Sequence, residues 1–394
     1  MVLKITNTLD KTPFRRSGKK LSTRKSLYYS ESLLLRPVLV IFQTAILIAV
    51  LTSCSSLTFY TQAVVGQSSL LWQRQDISQV LKDPSVNDVT RTRLELVNEI
   101  LAFAENELSL PVGDAYSTYV STGKPYIVWN VFAAPLWSLT MKSFCYPIAG
   151  CVSYQGYFKE SKAHELATRL EKEGYDVYVG GVTAYSTLGW FSDPVLDTFL
   201  LRSELGLVSL LFHELAHKVI YLPGDTTFNE SFATTLAEEG LRRWLLDRGE
   251  ETRFQEYQNS RQRKDDVISL IKRSRGELKR LYASGASAEE MGVKKTEILN
   301  QLPAGYELLR RSWTRGTEFQ SWMTMQSEYS ELNNAKLGAI ADYNGWVPAF
   351  LVLLLQQGGE IELFVESVKE LGRLEKPQRD EYLSGLLARA GKVT

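Results

Sequence analysis

The chain is short of the residues that build metal sites and cross-links. It has three Cys and three His in 394 residues, so each can be accounted for singly. It also lacks a net charge: Lys+Arg and Asp+Glu both number 45. The balance hides an asymmetry. Residues 1–53 hold nine basic side chains (Lys4, Lys11, Arg15, Arg16, Lys19, Lys20, Arg24, Lys25 and Arg36) and two acidic ones (Asp10 and Glu31), leaving a formal −7 on the remainder. A mildly acidic body without a basic stripe excludes nucleic acid as the expected partner. No internal repeat and no low-complexity linker interrupts the chain, and 44% hydrophobic content suffices for a sizeable core.

A long membrane span is also missing. The apolar run from Pro37 to Leu51 is broken by Gln43 and Thr44. It falls short of the ~20 residues a spanning helix needs, and it has the length of a signal-peptide apolar region. It closes on Leu51-Thr52-Ser53-Cys54. Small residues directly before a Cys suit a peptidase that cuts in front of a lipid-modified Cys54, and the segment resembles the bacterial lipoprotein box. An uncleaved anchor is the plainer alternative. One acyl chain holds weakly, so a lasting tether needs more than one. Ser55 follows the Cys where, in lipoproteins generally, Asp marks inner-membrane retention, and this leans toward the outer membrane. Export leaves Cys145 and Cys151 as an even pair in an oxidising compartment. Pro147 and Gly150 allow a tight loop between them. A Cys145–Cys151 disulfide is therefore expected, with two buried thiols as the alternative.

The pattern along the chain predicts helices over 68–81 and about 89–108, then a strand at Tyr126–Phe132 and another at Cys151–Tyr157. A helix over 160–173 and a strand over 175–180 follow, then a turn-rich piece at 185–194. From Ser203 onward the reading is mostly helical, with one helix to about Tyr221 and another from about Asn229 to Arg248. Residues 249–290 are dense in charge and read as a solvated helical arm. Val347–Leu355 is too brief to cross a bilayer and reads as a buried helix.

Chemistry concentrates in Leu211-Phe-His-Glu-Leu-Ala-His217. Positions four apart share a helix face, so His213 and His217 can reach one metal ion, with Glu214 beside it to handle a water. The flanking Leu207, Val208, Leu210, Leu211, Leu215, Val219 and Ile220 bury this helix. Polar groups there need partners, and a metal supplies one. A zinc site needs a third protein ligand. No third His is near, so a carboxylate must serve. Glu230 is the best candidate, because Leu222-Pro-Gly-Asp225 reads as a turn that folds two helix ends together. Glu238 and Glu239 are alternatives two turns further on. Tyr221, four residues past His217, is one candidate oxyanion donor, although a core Tyr is the plainer reading. Tyr343 is another. Ala163-His-Glu-Leu-Ala-Thr168 copies half the motif, but Thr168 cannot supply the second ligand, so His164 reads as a helix-surface His.

The sequence resembles a bacterial family of predicted zinc aminopeptidases with a lipoprotein-type N-terminus. The resemblance rests on Tyr126–Pro135, Cys145–Tyr157, Tyr175–Gly181, Ala184–Phe191, Phe212–His217 and Gly224–Thr234. It implies an α+β, zincin-like fold of the gluzincin kind, with a small mixed sheet ahead of the active helix, a mostly helical C-terminal part, and a substrate-binding edge strand within 175–191. It also implies removal of N-terminal residues from peptides. The expected organisation is a leader (1–53), a metallopeptidase core (54–248), a charged helical arm (249–290) and a helical C-terminal part (291–394). An endopeptidase or cell-wall-peptide hydrolase with the same site stays open. So does a lipoprotein in which zinc only staples two helices.

Overall fold

A computed structural model describes residues 54–146, 150–184, 192–313, 316, 319–324, 329–340 and 345–390. The leader 1–53, the turn-rich residues 185–191, Pro147 and Tyr343 lie outside the described residues. Residues 61–394 form one unit and residues 1–60 another. The elements run α1 (Cys54–Gln73), β1 (Gln75–Asp76), α2 (Ile77–Val80), α3 (Asp88–Asn106), β2 (Thr118–Val120), β3 (Val128–Pro135), β4 (Phe144–Tyr146), β5 (Gly150–Val152), β6 (Tyr154–Tyr157) and α4 (Glu160–Lys172). They continue with β7 (Tyr175–Val182), β8 (Val195–Leu196), α5 (Asp197–Leu200), α6 (Glu204–His217), α7 (Thr226–Asp247), α8 (Glu251–Tyr282) and α9 (Ala288–Ser312). The last are α10 (Gln320–Thr324), α11 (Asn334–Ala339), α12 (Val347–Gln356), α13 (Ile361–Arg373) and α14 (Lys376–Ala390).

The fold is α+β, with few strands ahead of a helical remainder. Among the described residues the strands form three small sheets. In one, β2 pairs antiparallel with β1 and parallel with β8. In another, β3 lies between β6 and β7 and is antiparallel to both. The third is the β4–β5 pair, in which Cys145 faces Cys151 and the two are disulfide-bonded.

Capping explains where the predicted boundaries move. The helix expected over 68–81 stops at Gln73, because Gln75 and Asp76 pair with Tyr119 and Thr118. Asp76 then caps a new turn by accepting from the Ser78 amide. At α3 the cap is Asn87, whose side chain accepts from the Thr90 amide.

Among the described residues, apolar spacing divides the interior into three clusters. The largest gathers α3, α6, α7 and the C-terminal helices around Leu94, Phe212, Phe228, Phe232, Trp244, Phe350 and Phe364. A second packs Ala163, Leu166, Ala167 and Leu170 of α4 on Val131, Val177 and Val179 of the antiparallel sheet. The third joins Val267, Ile271 and Leu278 of α8 to Leu299, Leu302 and Tyr306 of α9. The charge-dense segment is thus a helix with one buried stripe. Among the described residues no helix is long and apolar enough to cross a membrane.

Candidate metal centre

Two consecutive helices and their connection build the site. Ser203 caps α6 by accepting from the Gly206 amide at 3.2 Å. The buried face of α6 is Leu207, Val208, Leu211, Phe212, Leu215 and Ala216. The helix ends at His217, short of the expected Tyr221. Beyond it the Lys218 and Val219 amides bond carbonyls three residues back, Leu215 and Ala216, at 3.1 and 2.9 Å. That tightening closes the α pattern. Tyr221 therefore stands in the connection and not on the helix face with His217.

The second helix, α7, starts at Thr226, before the expected Asn229. Asp225 is its N-cap and accepts from the Phe228 amide at 3.4 Å. Asn229, 1% exposed, fastens the helix to the connection. Its Oδ1 accepts from the Leu222 amide and its Nδ2 donates to the Leu222 carbonyl, both at 2.8 Å. A side chain that satisfies both polar groups of one backbone residue fixes the fold-back. Glu230 is next in sequence and is carried toward the end of α6.

There the three residues meet. Nε2 of His213 lies 3.1 Å from Oε2 of Glu230, and Nε2 of His217 lies 3.2 Å from Nε2 of His213 and 3.6 Å from Oε1 of Glu230. One ligand atom from each of the three falls within 4.8 Å of the others. His217 is 6% exposed. Burial first, and then the neighbouring His213, outweigh Glu230 and push its imidazole down to about 4. Burial tends to raise the Glu230 carboxyl. The hydrogen bond from His213 and the charges of the two imidazoles outweigh it and hold the carboxyl below its usual range. The set is therefore a neutral imidazole and an ionised carboxylate beside a second imidazole, all facing one point. Two nitrogens and one carboxylate suit a zinc ion. Among the described residues Nδ1 of His217 has no hydrogen-bond partner, so its orientation is set from the Nε2 side.

Glu214 follows His213 on α6 and is partly buried. Its charge is felt by two groups that sequence reasoning did not single out. One is Tyr116, a buried residue at φ +59° whose amide donates to the Asp193 carbonyl at 2.8 Å. Burial first, then Glu214 and Asp193, raise its phenol well above the ordinary value. The other is Arg202, which Glu214 holds toward its charged form against desolvation. Arg202 donates to the Thr183 hydroxyl at 2.7 Å, just past β7. Both lie in segments without motif or period, so no pattern marked them.

The remaining candidates fall outside the cluster or beside it. Tyr221 is 42% exposed, and partial burial and then Glu230 raise its phenol. Glu239 is held by Arg242 and Arg243 at 2.8 Å, and Glu238 is paired with Arg261. Both carboxylates are thus already engaged by arginines. His164 is on α4, half-buried, its ring in a T-shaped contact with that of Tyr329, 5.3 Å between centroids.

A model of the putative aminopeptidase family matches residues 58–383. The chain belongs to this family. Comparison with curated proteins and with solved structures finds no match. The aminopeptidase match contains all of His213, Glu214, His217, Tyr221 and Glu230, and membership makes peptide-bond hydrolysis the expected class of chemistry.

Proposed function

We propose that the protein is a zinc-dependent peptidase, an aminopeptidase by family, in which His213, His217 and Glu230 hold one zinc ion and Glu214 is the general base. The observation that carries this reading is the convergence of three ligand atoms within 4.8 Å at the bend between α6 and α7. Zinc held there by His213, His217 and Glu230 would activate a water and polarise the scissile carbonyl. Glu214 takes the proton of that nucleophile and delivers it to the departing amine. Tyr221, whose phenol partial burial and then Glu230 raise, is the candidate donor to developing negative charge. Among the described residues the cluster offers three protein ligands, which suits an open fourth position better than a closed structural site.

A second reading is favoured by one observation. Arg202 is a cation within electrostatic reach of Glu214. Positive charge there is the wrong sign for gripping a free amino terminus, which supports endopeptidase action by the same centre.

Metal analysis with a peptide-library digest tests the reading. The wild type should hold one zinc per chain and cleave. Glu214→Gln should keep the zinc and lose activity by roughly 10²- to 10⁴-fold. Equal activity in both proteins would sink the mechanism. The ends of the fragments separate exopeptidase from endopeptidase.

Location belongs to the same reading. Cys54 carries the lipid, and the enzyme works on peptides in the cell envelope, facing the periplasm from the outer membrane. Labelling with a fatty-acid analogue should mark the wild type and not Cys54→Ala. Label retained in that variant would remove the anchor.

A further inference from the structure

We propose that the C-terminal segment 345–390 is a positioning element for the metal centre, acting chiefly through Arg379 on Asp225 and through Gly372 on the connection between the ligand helices. The proposal rests on the metal reading above. Asp225 is the cap of α7, five residues before Glu230, and it is 4% exposed. The buried Arg379 of α14 donates from Nη2 to Asp225 Oδ2 at 2.5 Å and from Nη1 to the Leu374 carbonyl at 2.8 Å. Its guanidinium also covers the Phe228 ring at 5.1 Å. Lys376 adds a second cation, 3.4 Å from both Asp225 oxygens. One buried carboxylate thus ties the first turn of the ligand helix to the end of the chain.

Two further contacts act on the same stretch. Ile220 and Leu222 lie against Gly372 of α13. A Cβ there would come within 2.8 Å of Ile220 Cδ1 and 3.3 Å of Leu222 Cδ2. Leu222 is the residue clamped by Asn229. The Trp346 amide donates to Ser231 Oγ at 3.1 Å, one residue past Glu230. His217 precedes this connection and Glu230 follows it, so its geometry sets the spacing of the ligands. A buried ion pair is weak support for stability as such. Its place at a helix cap, with Gly372 and Trp346 holding the same fold-back, points to ligand geometry, which a metal site needs held within about 0.5 Å.

Zinc affinity, read by competition with a chromogenic chelator on the full mature chain, decides the matter alongside thermal melting. Arg379→Met should weaken zinc binding roughly tenfold or more. Arg379→Lys should recover part of it, and Gly372→Ala should weaken it with the guanidinium intact. Leu386→Ala is the control. Leu386 is buried on the same helix, so this variant should lower the Tm and leave zinc affinity at the wild-type value. If Arg379→Met and Gly372→Ala keep wild-type affinity, or lose no more than Leu386→Ala at an equal drop in Tm, the proposal is overturned. Should Arg379→Met not fold, Arg379→Lys and Gly372→Ala decide by the same criterion. A wild type that binds no zinc would instead remove the metal reading itself, and the proposal with it.

Discussion

His217 is neutral in the folded protein at ordinary pH, with its imidazole pushed down to about 4 by burial and by His213. An unfolded chain takes up that proton near pH 6.5. Between these values the unfolded state binds more protons, so stability rises with pH across the window and falls as acid is added. The lowered Glu230 carboxyl acts in the same direction, since its contribution is lost as pH drops through the folded value. The metal-free protein should therefore lose stability, by a few kcal/mol at most, between about pH 6.5 and 4. Urea midpoints at several pH values check this, and a flat profile would contradict the burial of His217. At this scale the sequence was readable where local periodicity rules. Four-residue spacing on an apolar helix paired His213 with His217, and the turn at 222–225 made Glu230 the best of the carboxylate candidates, the three residues that the fold brings together. Asn229 went unread, because its role depends on a loop folding back onto it.

The ligand helices α6 and α7 meet closely at Gly240. A Cβ at that position would lie 2.8 Å from both Leu108 Cδ1 and Phe212 Cδ2. Phe212 precedes His213, and it also stacks on Phe103 and meets Trp244 edge-on. Gly240→Ala should cost about 1–3 kcal/mol by overpacking, measured by chemical denaturation, and it should disturb metal binding through Phe212. The cross-link between β4 and β5 is a separate device. It closes a loop of six residues' separation, so reduction or Cys145→Ala should cost about 2 kcal/mol in the chain-entropy picture. A thermal melt with and without reductant measures it. Most helices and the strands at 128–135 and 175–182 were legible as elements, since apolar spacing is local. Their ends were less so. His217 closes its helix earlier than the apolar pattern suggests, because Val219 and Ile220 are apolar for packing in the connection.

Across the whole molecule, the proposed ligands are carried by α6 and α7, whose apolar faces belong to the largest apolar cluster among the described residues, so metal and fold should be coupled. Zinc at a thousand times its Kd should stabilise by roughly 4 kcal/mol. Adding EDTA should lower the Tm, and the Tm should climb again with added zinc. A Tm indifferent to both would mean that the centre holds no ion. This scale was the least legible in the sequence. Strands ahead of a helical remainder followed from local period, and the α+β class from the family resemblance. The pairing of Asp225 with Arg379 spans 154 positions, and nothing local at residue 379 marks it as the partner of Asp225. Arg379 is supplied by the last described helix. During synthesis both imidazoles and Glu230 emerge long before it does. A copy still being made carries His213, His217 and Glu230 without the clasp proposed to set them. On the proposed reading, the centre would gain its full grip only once this late helix has docked on Asp225.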